Sequence, residues 1–261
     1  MEFKIISCNA RVQTTNDGEQ QFLCRADFLA RKLLELDADI IGFQETTPLM
    51  KIMLAERMPQ YAFVGGGRGG MNSSDRLGES PLIAIKQSKF FIERVETEIL
   101  SKTPLIPGSR YEDSDQSICP RAFVSADIVS LESGEAIRVM NVHTDHIGCK
   151  ARLLEVSQMI KYYRAADSLR RFPTVITGDF NAKPDAPEIK LMQSEGGFKD
   201  TGAHIKSTFH DYDRLTSDTK IDYIFISDGL SKKESYSIHP KDGDLFFSDH
   251  DPLIAVIETM G

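Results

Sequence analysis

Long apolar runs are missing from this chain: no stretch approaches the roughly 20 residues that a bilayer-spanning helix needs. Cysteine is scarce and scattered. Cys8, Cys24, Cys119 and Cys149 form no CxxC pair, so no disulfide framework is indicated and they read as free thiols in a reducing compartment. Positive charge is in deficit, with 31 Lys plus Arg against 39 Asp plus Glu and a formal net charge of -8. That balance argues against general affinity for nucleic-acid backbone or anionic membranes, although a local basic groove can sit on an acidic protein. The opening MEFKIISCNA enters a strand at once and lacks the regions of a signal peptide, so a cytoplasmic location is expected. No GxSxG nucleophile motif is present, and covalent catalysis is therefore not indicated. GGGRGG at Gly65–Gly70 lacks the Lys and Ser/Thr of a phosphate-binding P-loop and reads as a loop.

What is present is an ordinary globular composition, 41% hydrophobic and 27% charged, which sets aside disordered and fibrous classes. Residues 1–261 are read as a single domain, without an internal linker, repeat or low-complexity tract. Phe3–Asn9 reads as a buried strand, and Phe22, Ala26, Leu29, Leu33 and Leu36 then recur at helical spacing. Asp39–Glu45 reads as a short strand, after which Pro48 opens a helix running to Arg57. Further strands are expected at Leu82–Lys86, Phe90–Glu98, Ala122–Leu131, Ile137–His143, Thr174–Thr177, Ile221–Ser227 and Leu253–Glu258. Leu153, Val156, Ile160 and Tyr163 form another helical stripe, and a short helix is expected near Ala186–Gln193. This order predicts an α/β fold of two packed sheets flanked by helices. The turn-rich segment Ser101–Arg121 is long for a plain connection and reads as functional or disordered.

Acidic and imidazole side chains gather at the strand ends. Glu45 closes DIIGFQE, where alternation puts it on the side of Ile41 and Phe43, a fitting place for a carboxylate metal ligand. Asp179 and Asn181 lie two apart after an apolar strand, so extended chain aims them the same way, and His143 ends a strand in NVHTDH. Asp222 interrupts the apolar run Ile221–Ile226, where an unpartnered acid is costly, and a histidine is the obvious partner. Asp249 and His250 are adjacent and serve one site only from a bend, with which Pro252 is compatible. Oxygen donors with an Asn and no cysteine nearby suit Mg²⁺ or Mn²⁺ better than zinc, and phosphate chemistry is the natural use of such an ion.

GFQE at Gly42–Glu45, NVHTDH at Asn141–His146, GDFNA at Gly178–Ala182, KIDYIFIS at Lys220–Ser227 and SDHDPL at Ser248–Leu253 resemble the endonuclease/exonuclease/phosphatase, or DNase I-like, superfamily. With the early Asn9 they span nearly the whole chain in the family's order, and GDFN together with SDH is the specific part. The resemblance implies a four-layered α/β sandwich and Mg²⁺-dependent hydrolysis of phosphate esters, from DNA and RNA to inositol phosphates, sphingomyelin and nucleotides. It implies that Glu45 binds the metal with Asn9 and Asp249 near it, and that Asp179 and Asn181 position the nucleophile and steady the phosphate. His250, oriented by Asp222, is then general base or electrostatic partner, while His143 contacts the phosphate or assists the leaving group. DGEQ at Asp17–Gln20, PLIPGSR and CPRAF resemble a bacterial branch in which Arg121 serves as a phosphate clamp. That branch is expected to show tryptophan and this chain has none, with Phe22 and Tyr111 as the expected replacements.

Plainer readings stand beside these. Asp222 can be a buried acid satisfied by backbone, and Asn9 a turn former. His204, His210 and His239 read as surface or loop histidines, and Asp145 and His146 as braces for His143. His143, His146 and Cys149 lack a nearby fourth zinc ligand. Arg11 and Arg68 are further phosphate-clamp candidates, although most arginines are simply solvated. Against an enzyme stands a catalytically silent phosphate-binding or regulatory module on the same fold; the motif positions all carry the expected residue types and favour the enzyme. The charge balance and the acids Glu112, Asp113 and Asp115 in the long loop predict a small phosphate ester or short oligonucleotide as substrate, not long duplex DNA. Lys102, Arg110 and Arg121 are the candidates for a local basic pocket. No membrane and no obligate protein partner are expected.

Overall fold

A computed structural model describes residues 1–69 and 78–260. Gly70, the end of the expected GGGRGG loop, lies outside the described residues. In chain order come β1 (Glu2–Asn9), a 3-10 turn, α1 (Phe22–Leu36), β2 (Ile40–Thr46), α2 (Pro48–Arg57), β3 (Tyr61–Val64), β4 (Ser80–Lys86) and β5 (Phe90–Ile99). The chain continues through β6 (Ala122–Ser130), β7 (Ala136–His143), α3 (Cys149–Leu169), β8 (Thr174–Asp179), α4 (Pro187–Ser194) and β9 (Lys199–Asp200). It ends with β10 (Asp222–Ile226), β11 (Leu230–Ser237), the short pair β12 (Lys241–Asp242) and β13 (Leu245–Phe246), and β14 (Leu253–Thr259).

Two mixed sheets form, ordered β11-β14-β1-β2-β4-β3 and β5-β6-β7-β8-β10-β9. Each contains one parallel pair joined through a helix, β1 with β2 and β7 with β8, among antiparallel neighbours. Period-two alternation sorts the side chains of every central strand into two layers. Ile6, Cys8, Ile41 and Phe43 pack with Phe22, Ala26 and Leu29 of α1 and with Met50 and Leu54 of α2. Phe3, Ile5 and Ile40 instead meet Val124, Val139, Val175 and Ile224 of the other sheet. Met140, Ile176 and Phe225 close the last layer against Val156 and Met159 of α3 and Ile189 and Met192 of α4. The result is helices, sheet, sheet, helices, the four-layered sandwich.

Local sequence fixes the helix ends. The Thr47 hydroxyl accepts the Met50 amide at 3.3 Å and caps α2, whose first residue is Pro48. The start of α3 is capped from a distance: Asp115 accepts the amides of Lys150 at 3.2 Å and Ala151 at 2.8 Å. Gly148 permits this approach, since a Cβ there would come within 2.4 Å of the Asp115 carboxylate. The segment Ser101–Arg121 is thus tied to α3 instead of hanging free. The two-residue strands β9, β12 and β13 escape the hydrophobic pattern, and so do two longer ones. β3 is a four-residue edge, and β11, LSKKESYS, is an edge strand with charged residues and a register shift between Lys232 and Glu234.

Candidate active site

Alternation alone carries several polar groups to one end of the layer between the sheets. Beyond Phe3 and Ile5, β1 presents Asn9 on the same side, and its Nδ2 reaches Asp179 Oδ2 of the opposite sheet at 2.9 Å. Beyond Val175, β8 presents Thr177 and Asp179; beyond Val139, β7 presents Asn141 and His143; ahead of Ile224, β10 presents Asp222. This is the carboxyl end of both parallel pairs, the usual ligand-binding edge of a sheet with helical crossovers.

Directly beneath, Gln44 Nε2 donates to Asn141 Oδ1 at 2.6 Å, and Thr177 Oγ1 donates to the same oxygen at 3.0 Å. Asn141 Nδ2 in turn donates to the carbonyls of Phe43 and Leu82 at 2.7 and 2.9 Å, so a polar belt joins the sheets. Gly42 makes room for it: a Cβ would lie 2.0 Å from Thr177 Oγ1.

Glu45 reaches the site by breaking alternation. Its parity with Ile41 and Phe43 points it toward α1 and α2, yet its φ is 59° and the β2–β4 register shifts between Phe43 and Thr46. This bulge turns the carboxylate back to the cleft, where Oε1 accepts Asn9 Nδ2 at 3.1 Å and Oε2 accepts the Val12 amide at 2.9 Å. Asn181 also joins by a turn and not by extension. With φ at 47° its amide donates to Asp179 Oδ1 at 2.8 Å, and its Nδ2 donates to the Thr144 carbonyl at 3.1 Å.

His250 Nδ1 lies 2.8 Å from Asp222 Oδ2. The Asp222 amide donates to Thr208 Oγ1 at 3.1 Å, and Phe209 packs on the His250 ring at 4.7 Å between centroids. Asp179 Oδ2 stands between two imidazoles, 3.7 Å from His143 Nε2 and 3.8 Å from His250 Nε2. Burial opposes charge on His250, but Asp222, Asp249 and Asp179 outweigh it and hold this imidazole well above its ordinary range. His143 is held well below it, by burial first and then by Arg121 and Arg68. Burial and the nearby charge of Asp222 push Asp179 up to about 7. Asp249 is raised by burial and by Glu45, against the pull of His250.

Glu45, His143, Asp179, Asn181, Asp249 and His250 line a cavity of about 550 Å³ together with Arg68 and Arg121. Arg68 pairs with Glu79 at 2.8 Å, and Arg121 Nη2 lies 2.7 Å from His146 Nδ1. Arg11 lines the same cavity, but Asp17 holds its guanidinium at 2.9 and 3.1 Å and Asp249 lies 3.5 Å away, so it braces carboxylates. Lys102 and Arg110 are engaged elsewhere, with Asp113 and with the Ser117 carbonyl. The expected aromatic replacements do not reach the cleft either. Phe22 is in the core under α1, and the Tyr111 hydroxyl bonds Gln158; Phe209 lines the cavity instead. Asp145 accepts Ser117, Ile147 and Gly148 amides and braces the loop, not His143. Cys149 approaches Glu188, and no described cluster joins it to His143 and His146. Cys119 does line the cavity, contrary to the reading of a site without cysteine nearby. Glu79, Asp211, Thr208 and Phe209 had no sequence signal: each lies outside the motifs and meets the site only through the fold.

Glu45, His143 and Asp179 can offer ligand atoms within 4.8 Å of one another, as can Asp179, Asp222 and His250. The raised Asp179 and Asp249 are what crowding of buried carboxylates produces, and a divalent cation relieves it; the donors are mainly oxygen. The residues present fit such an ion.

The architecture matches an endonuclease/exonuclease/phosphatase from Bacteroides vulgatus at a TM-score of 0.89 with 24% identity, covering 100% of both chains. It matches a mannosyl-6-phosphatase from Bacteroides thetaiotaomicron at 0.86 with 24% identity, over 98% of this chain and 99% of that one. The human Nocturnin catalytic domain, solved with a bound sulfate anion, follows at 0.76 with 15% identity, over 99% and 94%. No curated protein sequence matches the chain. Residues 6–250 match the Endonuclease/Exonuclease/phosphatase family, and the chain belongs to it. Members of that family are phosphoester hydrolases, typically dependent on a divalent metal. No described helix is long and apolar enough to cross a membrane.

Proposed function

We propose that residues 1–261 act as one domain that hydrolyses a small phosphate ester or a short oligonucleotide, with Mg²⁺ or Mn²⁺ as cofactor. The observation that carries this reading is that Asp179, Glu45 and His250 line one cavity, with His250 bonded to Asp222. Glu45 and Asp249, with Asn9, would hold the cation, which when bound neutralises phosphoryl oxygen charge. Asp179, poised near neutrality, takes the proton of a water whose oxygen attacks phosphorus, and the bond to the leaving oxygen breaks in line. His250, kept cationic by Asp222, stabilises charge growing on the phosphoryl oxygens and serves as electrostatic partner more than base. Neutral His143 and the Asn181 amide steady the phosphate, and Arg121, which lines the same cavity, clamps it.

Metal-dependent release of nitrophenol from bis-nitrophenyl phosphate tests turnover. A relative named as a mannosyl-6-phosphatase brings sugar phosphate monoesters into the substrate panel. Comparing kcat/KM on small esters with cleavage of plasmid DNA across a salt series tests the substrate class; fast plasmid cleavage that collapses as salt rises would reveal a basic groove and refute it. Glu45→Gln should weaken Mg²⁺ binding in calorimetry with the fold intact, and unchanged affinity would remove Glu45 from the ligand set.

A further inference from the structure

A second cluster of imidazoles and carboxylates lies behind the cleft. His210 and His239, which the sequence presents as loop histidines, pack edge to face with ring centroids 4.5 Å apart. Asp251 sits against one nitrogen of each: its Oδ1 is 2.6 Å from His239 Nδ1 and 3.4 Å from His210 Nε2. A carboxylate at one imidazole nitrogen keeps the proton there and leaves the other nitrogen its lone pair, the arrangement that orients metal-binding histidines. Those other nitrogens turn to a second carboxylate. Asp213 Oδ1 lies 3.1 Å from His239 Nε2 and 3.8 Å from His210 Nδ1, and the group offers three ligand atoms within 4.8 Å of one another.

We propose that His210, His239 and Asp213 form a site for a tetrahedral transition-metal ion, zinc before others, with Asp251 as the shared brace. Bonds of about 2.0–2.2 Å at tetrahedral angles separate ligand atoms by about 3.3–3.5 Å. The two oxygen–nitrogen distances of 3.1 and 3.8 Å straddle that spacing and the two nitrogens lie within 4.8 Å of each other, so rotation of these side chains closes the set around an ion. Two nitrogens and one oxygen suit zinc better than Mg²⁺, and water completes the fourth position on this open face. Lys241 bonds the other oxygen of Asp213 and can stay there. The Asp213 amide, 3.3 Å from His210 Nδ1, is the contact that must yield. The backbone links this site to the cleft without touching substrate: the His210 and Asp211 amides donate to the Asp249 carbonyl at 3.1 and 3.2 Å. A bound ion therefore steadies the segment that presents Asp249 and His250.

The test uses the chelator-stripped full chain, titrated with Zn²⁺ alone by calorimetry and with Co²⁺ by visible absorbance. Wild type should take up one more zinc equivalent than His239→Ala, and the tetrahedral Co²⁺ bands should vanish in His239→Ala while persisting in Glu45→Gln. Asp251→Asn should keep the stoichiometry and weaken zinc by about 10–100-fold, the usual cost of losing such a brace. Mg²⁺ binding should be the same in wild type and His239→Ala. Equal zinc stoichiometry and Co²⁺ spectra in wild type and His239→Ala would overturn the site, as would full zinc affinity in Asp251→Asn if the histidine variant fails to fold. Because no arm depends on turnover, an inactive protein leaves the proposal standing or falling on metal binding alone.

Discussion

The layer between the sheets has two ends built by the same strands and the same alternation, yet one is a core and the other a site. Ile5, Ile40, Val139, Val175 and Ile224 form the apolar end. A step or two further, on the same sides of the same strands, stand Asn9, Gln44, Asn141, Asp179 and Asp222, all buried. Along these strands side-chain chemistry distinguishes the ends, and at the polar end positive φ at Glu45 and Asn181 adds to it. The apolar end needs no partner, whereas buried polar groups are costly without one, and the belt of Gln44, Asn141 and Thr177 joins the sheets at the boundary.

Four substitutions sharpen that contrast. His250→Ala, at the polar end, should lower kcat by about 10²–10⁴-fold and also lower the thermal midpoint, because buried Asp222 loses its partner; undiminished turnover in the folded variant would take the imidazole out of the reaction. Ile128→Ala, fully buried at the apolar end, should cost about 2–5 kcal/mol in urea unfolding and leave kcat unchanged well below the melting point. Gly42→Ala, on the boundary, drives a Cβ toward Thr177 Oγ1 and should cost about 1–3 kcal/mol and also depress activity. Adding Thr177→Ala should restore part of the stability, and no restoration would mean that the belt is not what glycine accommodates.

A contrast that depends on pH comes from Glu155 on α3, buried outside this layer, where its carboxylate accepts the Asp145 amide at 2.8 Å. Burial raises it from 4.5 to about 8, so the folded chain keeps a proton that the unfolded chain releases. Stability should fall as pH climbs through that window, and Glu155→Gln should flatten the slope in melts from pH 5 to pH 8.

Much of this was legible in the sequence. Strands such as Phe3–Asn9 and Ile137–His143 were readable because one face is apolar along most of their length. GDFN and SDH exposed their acids because both flank apolar runs. Glu45 was found for the wrong geometric reason: the pattern cannot show that φ turns positive there and reverses the side chain. β11 was invisible because an edge strand with two adjacent lysines buries too little to leave a period. The partners Thr208, Phe209 and Glu79 come from loops whose places only the finished fold determines. The loop histidines His210 and His239 likewise carry no spacing signal, being 29 positions apart and brought together only by the fold.

The walls of the cleft come from different sheets, and the contact between Asn9 and Asp179 joins groups 170 positions apart. Such a contact forms late, because closing so long a loop costs entropy before any bond rewards it. The first sheet needs a longer closure still, β1 with β14, so its completion and the return of turnover should coincide during refolding, and enzyme activity becomes a clock for the joining of the two ends of the chain.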